Sequence, residues 1–150
     1  MIQLFAQATK RGTMDNKDLN NDVLKNLPSL SRKYLKLIDQ KLAAYQLSSS
    51  TYYYIIKLYE FGDLTQDKLV QLTGLNASNV TRAIQKLIFL DYIKRIQNPE
   101  DRRGFILSLD DKGDQLYPII QSILLQVKDE LLETLNSKEK EQFITLIKKL

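Results

Sequence analysis

Between Asn76 and Leu109 the chain changes period: NASNVTRAIQKLIFLDYIKRIQNPEDRRGFILSL begins with apolar residues at helical spacing and finishes with two extended runs. Asn76 is a strong helix cap, and Val80, Ile84, Leu87 and Ile88 then lay an apolar stripe along one side of a helix. The opposite side carries Ser78, Asn79, Thr81, Arg82, Gln85 and Lys86, short hydrogen-bonding groups near the helix start with cations behind them. That order suits a helix whose first turns enter a major groove, where base edges offer donors and acceptors and phosphates line the rims. The helix is predicted to stop near Leu90-Asp91-Tyr92. Ile93–Gln97 and Phe105–Leu109 follow as short strands around Asn98-Pro99-Glu100-Asp101-Arg102-Arg103-Gly104, a connection rich in turn residues. A hairpin with Arg102 and Arg103 at its tip can carry positive charge to phosphate or to a narrow minor groove.

Upstream, Asp63-Leu64-Thr65 leads into a short predicted helix, Gln66–Thr73, whose Leu69 and Leu72 would pack on the helix described above. Gly74 supplies the turn between them. Two short amphipathic helices joined by glycine and followed by a hairpin are the parts of a winged helix-turn-helix.

The same residues resemble the MarR (multiple antibiotic resistance regulator) family. The resemblance is carried by Leu64-Thr65-Gln66, Leu69 and Leu72, by Asn76 to Leu87, by Asp101-Arg102-Arg103, and by Leu107-Ser108-Leu109-Asp110-Asp111-Lys112-Gly113. It extends from about Ser29 to the C-terminus and is strongest over Leu64–Gly113. Asp110 departs from the threonine usual at its position, but both side chains cap helices well.

What the resemblance implies is a mainly α fold with a small β-wing, a winged helix-turn-helix flanked by N- and C-terminal dimerisation helices. The expected single domain is 29–150, with the winged helix at about 48–110 and the dimerisation helices at about 29–46 and 111–150. Expected DNA-binding residues are Thr65, Asn76, Ala77, Ser78, Asn79, Thr81, Arg82, Lys86, Arg102 and Arg103. Among these, Ser78, Asn79, Thr81 and Arg82 are the candidates for base edges and adjacent phosphates, and Ala77 is small enough to meet a thymine methyl. By the family pattern Asp101 forms a wing salt bridge with an arginine, Arg103 being the better partner; which arginine pairs and which reaches DNA is left open.

The charge balance agrees without deciding. Net charge is +4 and the isoelectric point about 9.2, a mild basic excess compatible with an anionic partner. Cations on small domains usually sit on solvated faces, and Asp91, Glu100 and Asp110 are available to pair with Arg82, Lys86, Lys94 and Arg95. Only Arg82 and Lys86 share a face with Ser78 and Asn79. The chain has no cysteine and no histidine, which removes disulfides, a thiol switch, the usual zinc ligand and the usual general base near neutral pH. Glu100 and Asp101 on a loop tip, with no nucleophile motif or glycine-rich phosphate loop elsewhere, make no enzyme. No cofactor or metal is expected.

The remaining chain reads as helices. Met1–Thr13 precede a second methionine, Met14, and are read as vector-derived or as arising from an upstream start; the whole segment 1–28 is expected to be disordered. Pro28-Ser29 opens a helix with Leu30, Tyr34, Leu37, Ile38 and Leu42 apolar, running to about Tyr45. Ser48-Ser49-Ser50-Thr51 is expected to cap the next, which carries Tyr52, Ile55, Ile56, Leu58 and Tyr59 and stops before Gly62. Asp110 caps a long helix from Asp111 to about Leu135, with Pro118 in its early turns expected to remove a hydrogen bond and bend it. Lys138–Leu150 forms the last. No apolar run approaches the roughly 20 residues that span a bilayer, and no signal peptide is present, so a cytoplasmic location is expected.

These flanking stripes hold more apolar surface than a small winged helix covers. Leu116–Leu135 can pack on Tyr34–Leu42 of the same chain, or Leu30–Leu42 and Ile119–Leu150 can form the interface of a symmetric homodimer, the arrangement the resemblance favours. It also implies a small phenolic or anionic aromatic effector bound between dimer helices and winged domain, with Tyr45, Tyr52, Tyr53, Tyr54 and Arg32 as local candidates. Three consecutive tyrosines cannot all face one pocket. The partners so expected are double-stranded DNA, a second copy of the chain and such an effector. The alternative is a winged-helix protein-interaction module or accessory regulator without specific DNA binding, since fold does not fix function.

Overall fold

The computed structural model describes residues 23–150; the reading of Met14 as the start lies outside them. The chain divides into two units, 1–32 and 33–150. Of the first, Val23–Asn26 form a 3-10 turn leading into α1 (Leu27–Leu42), and Leu24 and Leu27 are exposed.

In the second unit α1 continues to Leu42 and ends in a 3-10 turn, Ala43–Tyr45, closed by Gln46 in the left-handed region at φ 58°. There follow α2 (Tyr52–Phe61), β1 (Leu64–Thr65), α3 (Gln66–Thr73), α4 (Ala77–Phe89), β2 (Ile93–Gln97), β3 (Phe105–Leu109), α5 (Asp111–Leu131) and α6 (Ser137–Ile147). The fold is mainly helical with a small antiparallel sheet, as the sequence implied.

The sheet holds one strand more than the hairpin. Its order is β1-β3-β2, with Leu64 opposite Leu107 and Thr65 opposite Ile106 on one side of β3, and Ile93 opposite Leu109 through Gln97 opposite Phe105 on the other. β1 therefore straps the start of α3 to the base of the wing. Helix boundaries also shift. α5 ends at Leu131, not near Leu135: the Leu132 N–H closes on Lys128, and Leu135 turns back to the Leu132 carbonyl. Asn136 then recaps the chain, its side chain and that of Glu139 each accepting the other's backbone N–H, so α6 starts one residue earlier and stops at Ile147. Pro118 lies inside an unbroken α5. Thr51 precedes α2 without capping it, because its hydroxyl turns back to accept the Ser48 N–H at 2.9 Å.

One apolar cluster joins these elements. Leu37, Ile38 and Leu42 of α1 lie in it with Tyr54, Ile55 and Leu58 of α2, Val80, Ile84 and Leu87 of α4, and Leu116, Ile120, Ile123 and Val127 of α5. The α1 and α5 stripes thus bury one face each within the chain, tied at the rim by Lys41–Glu130 at 3.0 Å. Apolar side chains also remain outside, with Leu125 of α5 and Leu146 and Ile147 of α6 exposed. Truncating a fully buried side chain such as Ile84 to alanine would cost about 2–5 kcal/mol, so the inner stripe of α4 is fixed, and with it the direction its outer face points.

Candidate nucleic-acid interface

The outward face of α4 is shaped by two local devices. Gly74 takes φ 63°, the left-handed conformation that ends α3 and turns the chain into Leu75-Asn76. Asn76 caps α4, its Oδ1 accepting the Ser78 N–H at 2.8 Å and the Ser78 hydroxyl at 2.6 Å. Asn76, Ala77, Ser78, Asn79, Arg82 and Lys86 are all exposed, and neither Arg82 nor Lys86 has an ion pair among the described residues. The polar edge expected from the sequence is therefore open.

Thr81 has a different part. It is half-buried; its hydroxyl donates to the Ala77 carbonyl at 2.9 Å and accepts from Gln66 Nε2 at 2.7 Å. With both positions occupied, Thr81 joins α3 to α4 and holds their angle. Its partner is Gln66, part of the resemblance but not among the expected DNA-binding residues. Thr65 caps α3 by accepting the Lys68 N–H at 3.2 Å, and among the described residues its hydroxyl donates to no acceptor.

The C-terminal end of α4 is fastened to α5. Lys112 Nζ donates to the Leu90 carbonyl at 2.8 Å and lies 4.5 Å from the centre of the Tyr92 ring. The Asp110 N–H reaches the Tyr92 carbonyl at 3.0 Å, and the buried Tyr92 hydroxyl donates to the Tyr45 carbonyl at 3.0 Å. Gly113 packs so closely on the Tyr92 carbonyl that no Cβ fits between them. The Lys-Gly pair that carried part of the resemblance thus acts as a joint between reading helix and long helix. Asp110 caps α5 through the Asp111 N–H and pairs with Lys94 at 3.6 Å, while Arg95 has no ion pair among the described residues.

At the wing tip Glu100, Asp101, Arg102 and Arg103 are exposed. The salt bridge between Asp101 and Arg103 does not form. Asp101 Oδ1 accepts the Arg103 backbone N–H at 2.9 Å instead, and no ion pair involves Arg102 or Arg103 among the described residues. The carboxylate is taken up by a local turn, the use for which aspartate is favoured in loops.

Beside the outer face of α4 lies a groove of about 660 Å³ lined by Tyr52, Tyr53, Leu75, Asn79, Arg82 and Lys86, among others. Three of the five ligand candidates, Tyr52, Tyr53 and Tyr54, line it. Tyr45 does not, its carbonyl being engaged by Tyr92, and Arg32 belongs to the other unit. Tyr54 is 1% exposed and serves the core. Burial first, and then the hydrogen bond that Tyr52 shares with the Tyr34 hydroxyl 3.4 Å away, which favours the protonated phenol, push Tyr52 well above its ordinary range.

Residues 47–114 match the family model described as the MarR family. Over that stretch the chain is similar to the MarR family. The curated relatives it resembles are described as HTH-type transcriptional regulators. Two curated relatives span most of the chain. An uncharacterized HTH-type transcriptional regulator, YybA of Bacillus subtilis, is 23% identical over 127 residues, covering 85% of each chain. The HTH-type transcriptional regulator BilQ of Clostridioides difficile is 26% identical over 132 residues, 87% of this chain and 89% of its own. Among solved structures, the reduced form of MarR from E. coli superposes with a TM-score of 0.79 at 19% identity, over 85% of this chain and 94% of that one. A cysteine-to-serine mutant of the same protein, complexed with operator DNA, gives 0.75 at 18% identity, over 90% and 97%.

Proposed function

We propose that this chain is a MarR-family, sequence-specific DNA-binding transcriptional regulator, acting as a homodimeric repressor on a near-palindromic operator. The observation that carries the reading is the open face of α4, Asn76 to Lys86, together with an exposed arginine-bearing wing tip. Ala77, Ser78, Asn79 and Arg82 meet base edges and nearby phosphates; Asn76, Thr65 and Thr81 set the helix in place; Lys86 and the wing arginines supply charge. That a relative in the same fold has been crystallised on operator DNA supports the reading.

The winged helix is assigned to about 48–110 within a domain of 29–150, with 29–46 and 111–150 pairing two copies. Leu125, Leu146 and Ile147, exposed on α5 and α6, are the surface such pairing would cover. Two reading helices related by the dimer axis would enter major grooves about one helical turn apart, which makes the target a near-palindrome. A small aromatic anion in the groove between Tyr52, Tyr53 and Arg82 would hold residues that DNA also needs. Among the described residues no helix is long and apolar enough to cross a membrane.

The test is binding to duplexes recovered from a random pool, measured across salt concentrations. Phosphate-mediated binding gives a steep linear fall of log affinity with log salt. Failure to recover any duplex, or retention indifferent to salt, leaves the protein-interaction module as the reading.

A further inference from the structure

We propose that Asp101 positions the wing through its backbone and that both wing arginines are thereby delivered to the duplex. The inference rests on the DNA-binding reading and assigns how one part of that site works.

Six hydrogen bonds tie the tip to itself. Asn98 N–H donates to the Gly104 carbonyl at 3.0 Å, Gly104 N–H to the Asp101 carbonyl at 3.0 Å and Asp101 N–H to the Asn98 carbonyl at 3.3 Å. Asn98 Oδ1 accepts the Glu100 N–H at 3.0 Å, Asp101 Oδ1 accepts the Arg103 N–H at 2.9 Å, and Gln97 Nε2 donates to the Arg102 carbonyl at 2.9 Å. Every one of them fixes main chain between Asn98 and Gly104, and none engages a guanidinium group. Gln97 and Asp101 hold the two ends of the one peptide group that joins Arg102 to Arg103, so the main chain of both is set before any ligand arrives.

An ion pair between Asp101 and Arg103 would neutralise one of the cations the wing exists to present. The backbone turn avoids that loss, because the carboxylate needs only an acceptor oxygen to make it. Charge is then a drawback of the aspartate. Glu100 and Asp101 cancel Arg102 and Arg103, so the tip carries no net charge from its ionised side chains. Asparagine at position 101 would keep the acceptor and remove one negative charge from beside the phosphates, whereas alanine would remove both. As a positioning residue, Asp101 should be replaceable by asparagine and not by alanine.

The experiment compares wild type, Asp101→Asn and Asp101→Ala on a duplex recovered from a random pool, and follows Arg103 amide hydrogen exchange in the free proteins. Asp101→Asn is expected to bind as tightly as wild type or up to about threefold tighter, and Asp101→Ala about tenfold more weakly because the tip samples unproductive conformations. Arg103 exchange should be about 2–10-fold faster in Asp101→Ala than in the other two, the range for one net hydrogen bond. Arg102→Ala and Arg103→Ala should each flatten the salt dependence by about one phosphate contact per wing. Equal weakening by asparagine and alanine overturns the proposal in favour of an ion pair. So does an Arg103 amide indifferent to both variants, or a salt slope that only one arginine changes. If wild type binds no duplex, the DNA reading falls while the exchange comparison still decides for or against the backbone role.

Discussion

Gly113→Ala is the sharpest probe of the joint between reading helix and long helix. Within a helix, replacing glycine by alanine ordinarily stabilises by about 1 kcal/mol. At Gly113 the sign should reverse. A Cβ there would fall inside contact distance of the Tyr92 carbonyl oxygen, with Leu109 Cδ2 at 3.1 Å and the Tyr92 carbonyl carbon at 3.2 Å. The main obstacle is backbone, which no rotamer change can clear. Either α5 moves off the strand or Tyr92 shifts, and the second breaks the bond from Asp110 N–H at 3.0 Å. Overpacking costs about 3 kcal/mol at the upper end of its usual range and the hydrogen bond about 1 kcal/mol. Offset by the helix-propensity gain, the net loss is about 3 kcal/mol. In urea unfolding with a slope of about 2 kcal/mol/M the midpoint should fall by about 1.5 M. A midpoint unchanged or raised would refute the close packing of Gly113 on Tyr92 and the fixed seating of α4 derived from it.

Other expectations follow from single residues. Asp91 sits at φ 61°, where a side chain costs about 1 kcal/mol or more, so Asp91→Gly should raise the urea midpoint slightly despite glycine's greater chain entropy; a lowered midpoint would mean that its side chain makes a contact worth more than the strain. Burial raises the phenol pKa values of Tyr52, Tyr54 and Tyr92 above 10.0, so the folded state holds their protons more tightly. Their stabilisation is then complete below pH 10 and is lost as pH rises through the folded values. Phenolate absorbance should show these tyrosines ionising after the rest and together with unfolding; ordinary titration of all of them would contradict the burial. Arg82→Ala should weaken operator binding by about 1–3 kcal/mol and change sequence preference. Unchanged affinity and preference in a competition assay would remove Arg82 from the reading face.

The elements visible in the sequence were those whose signal is local and repeated. Val80, Ile84 and Leu87 announce α4 because each helical turn restates the pattern, and Asn76 announces its start by the chemistry of its side chain. β1 gave no such signal: Leu64–Thr65 is too short for alternation, and its pairing with Ile106–Leu107 is set by contacts remote in the chain. Leu131, Leu132 and Leu135 keep helical spacing through the break after α5, so periodicity overran the end of the helix. At the site, exposure of Ser78, Asn79 and Arg82 followed from the stripe opposite them. The occupation of Thr81 by Gln66 did not, because a hydroxyl reads the same whether it faces solvent or a neighbouring helix. The wing shows the same limit. The resemblance implied an ion pair for Asp-Arg-Arg, whereas the carboxylate takes a backbone N–H two residues on, a choice set by the local turn.

Hydroxyl-radical footprinting of the protein on a duplex recovered from a random pool puts the central claim to the test, since cleavage reports which sugars are covered. Reading helices and wings acting together on a paired molecule predict two symmetric protected blocks about one helical turn apart on one face of the duplex, with outer minor-groove protections lost in Arg102→Ala, Arg103→Ala variants. A single unsymmetric block, or a pattern the wing variants leave unchanged, would contradict it.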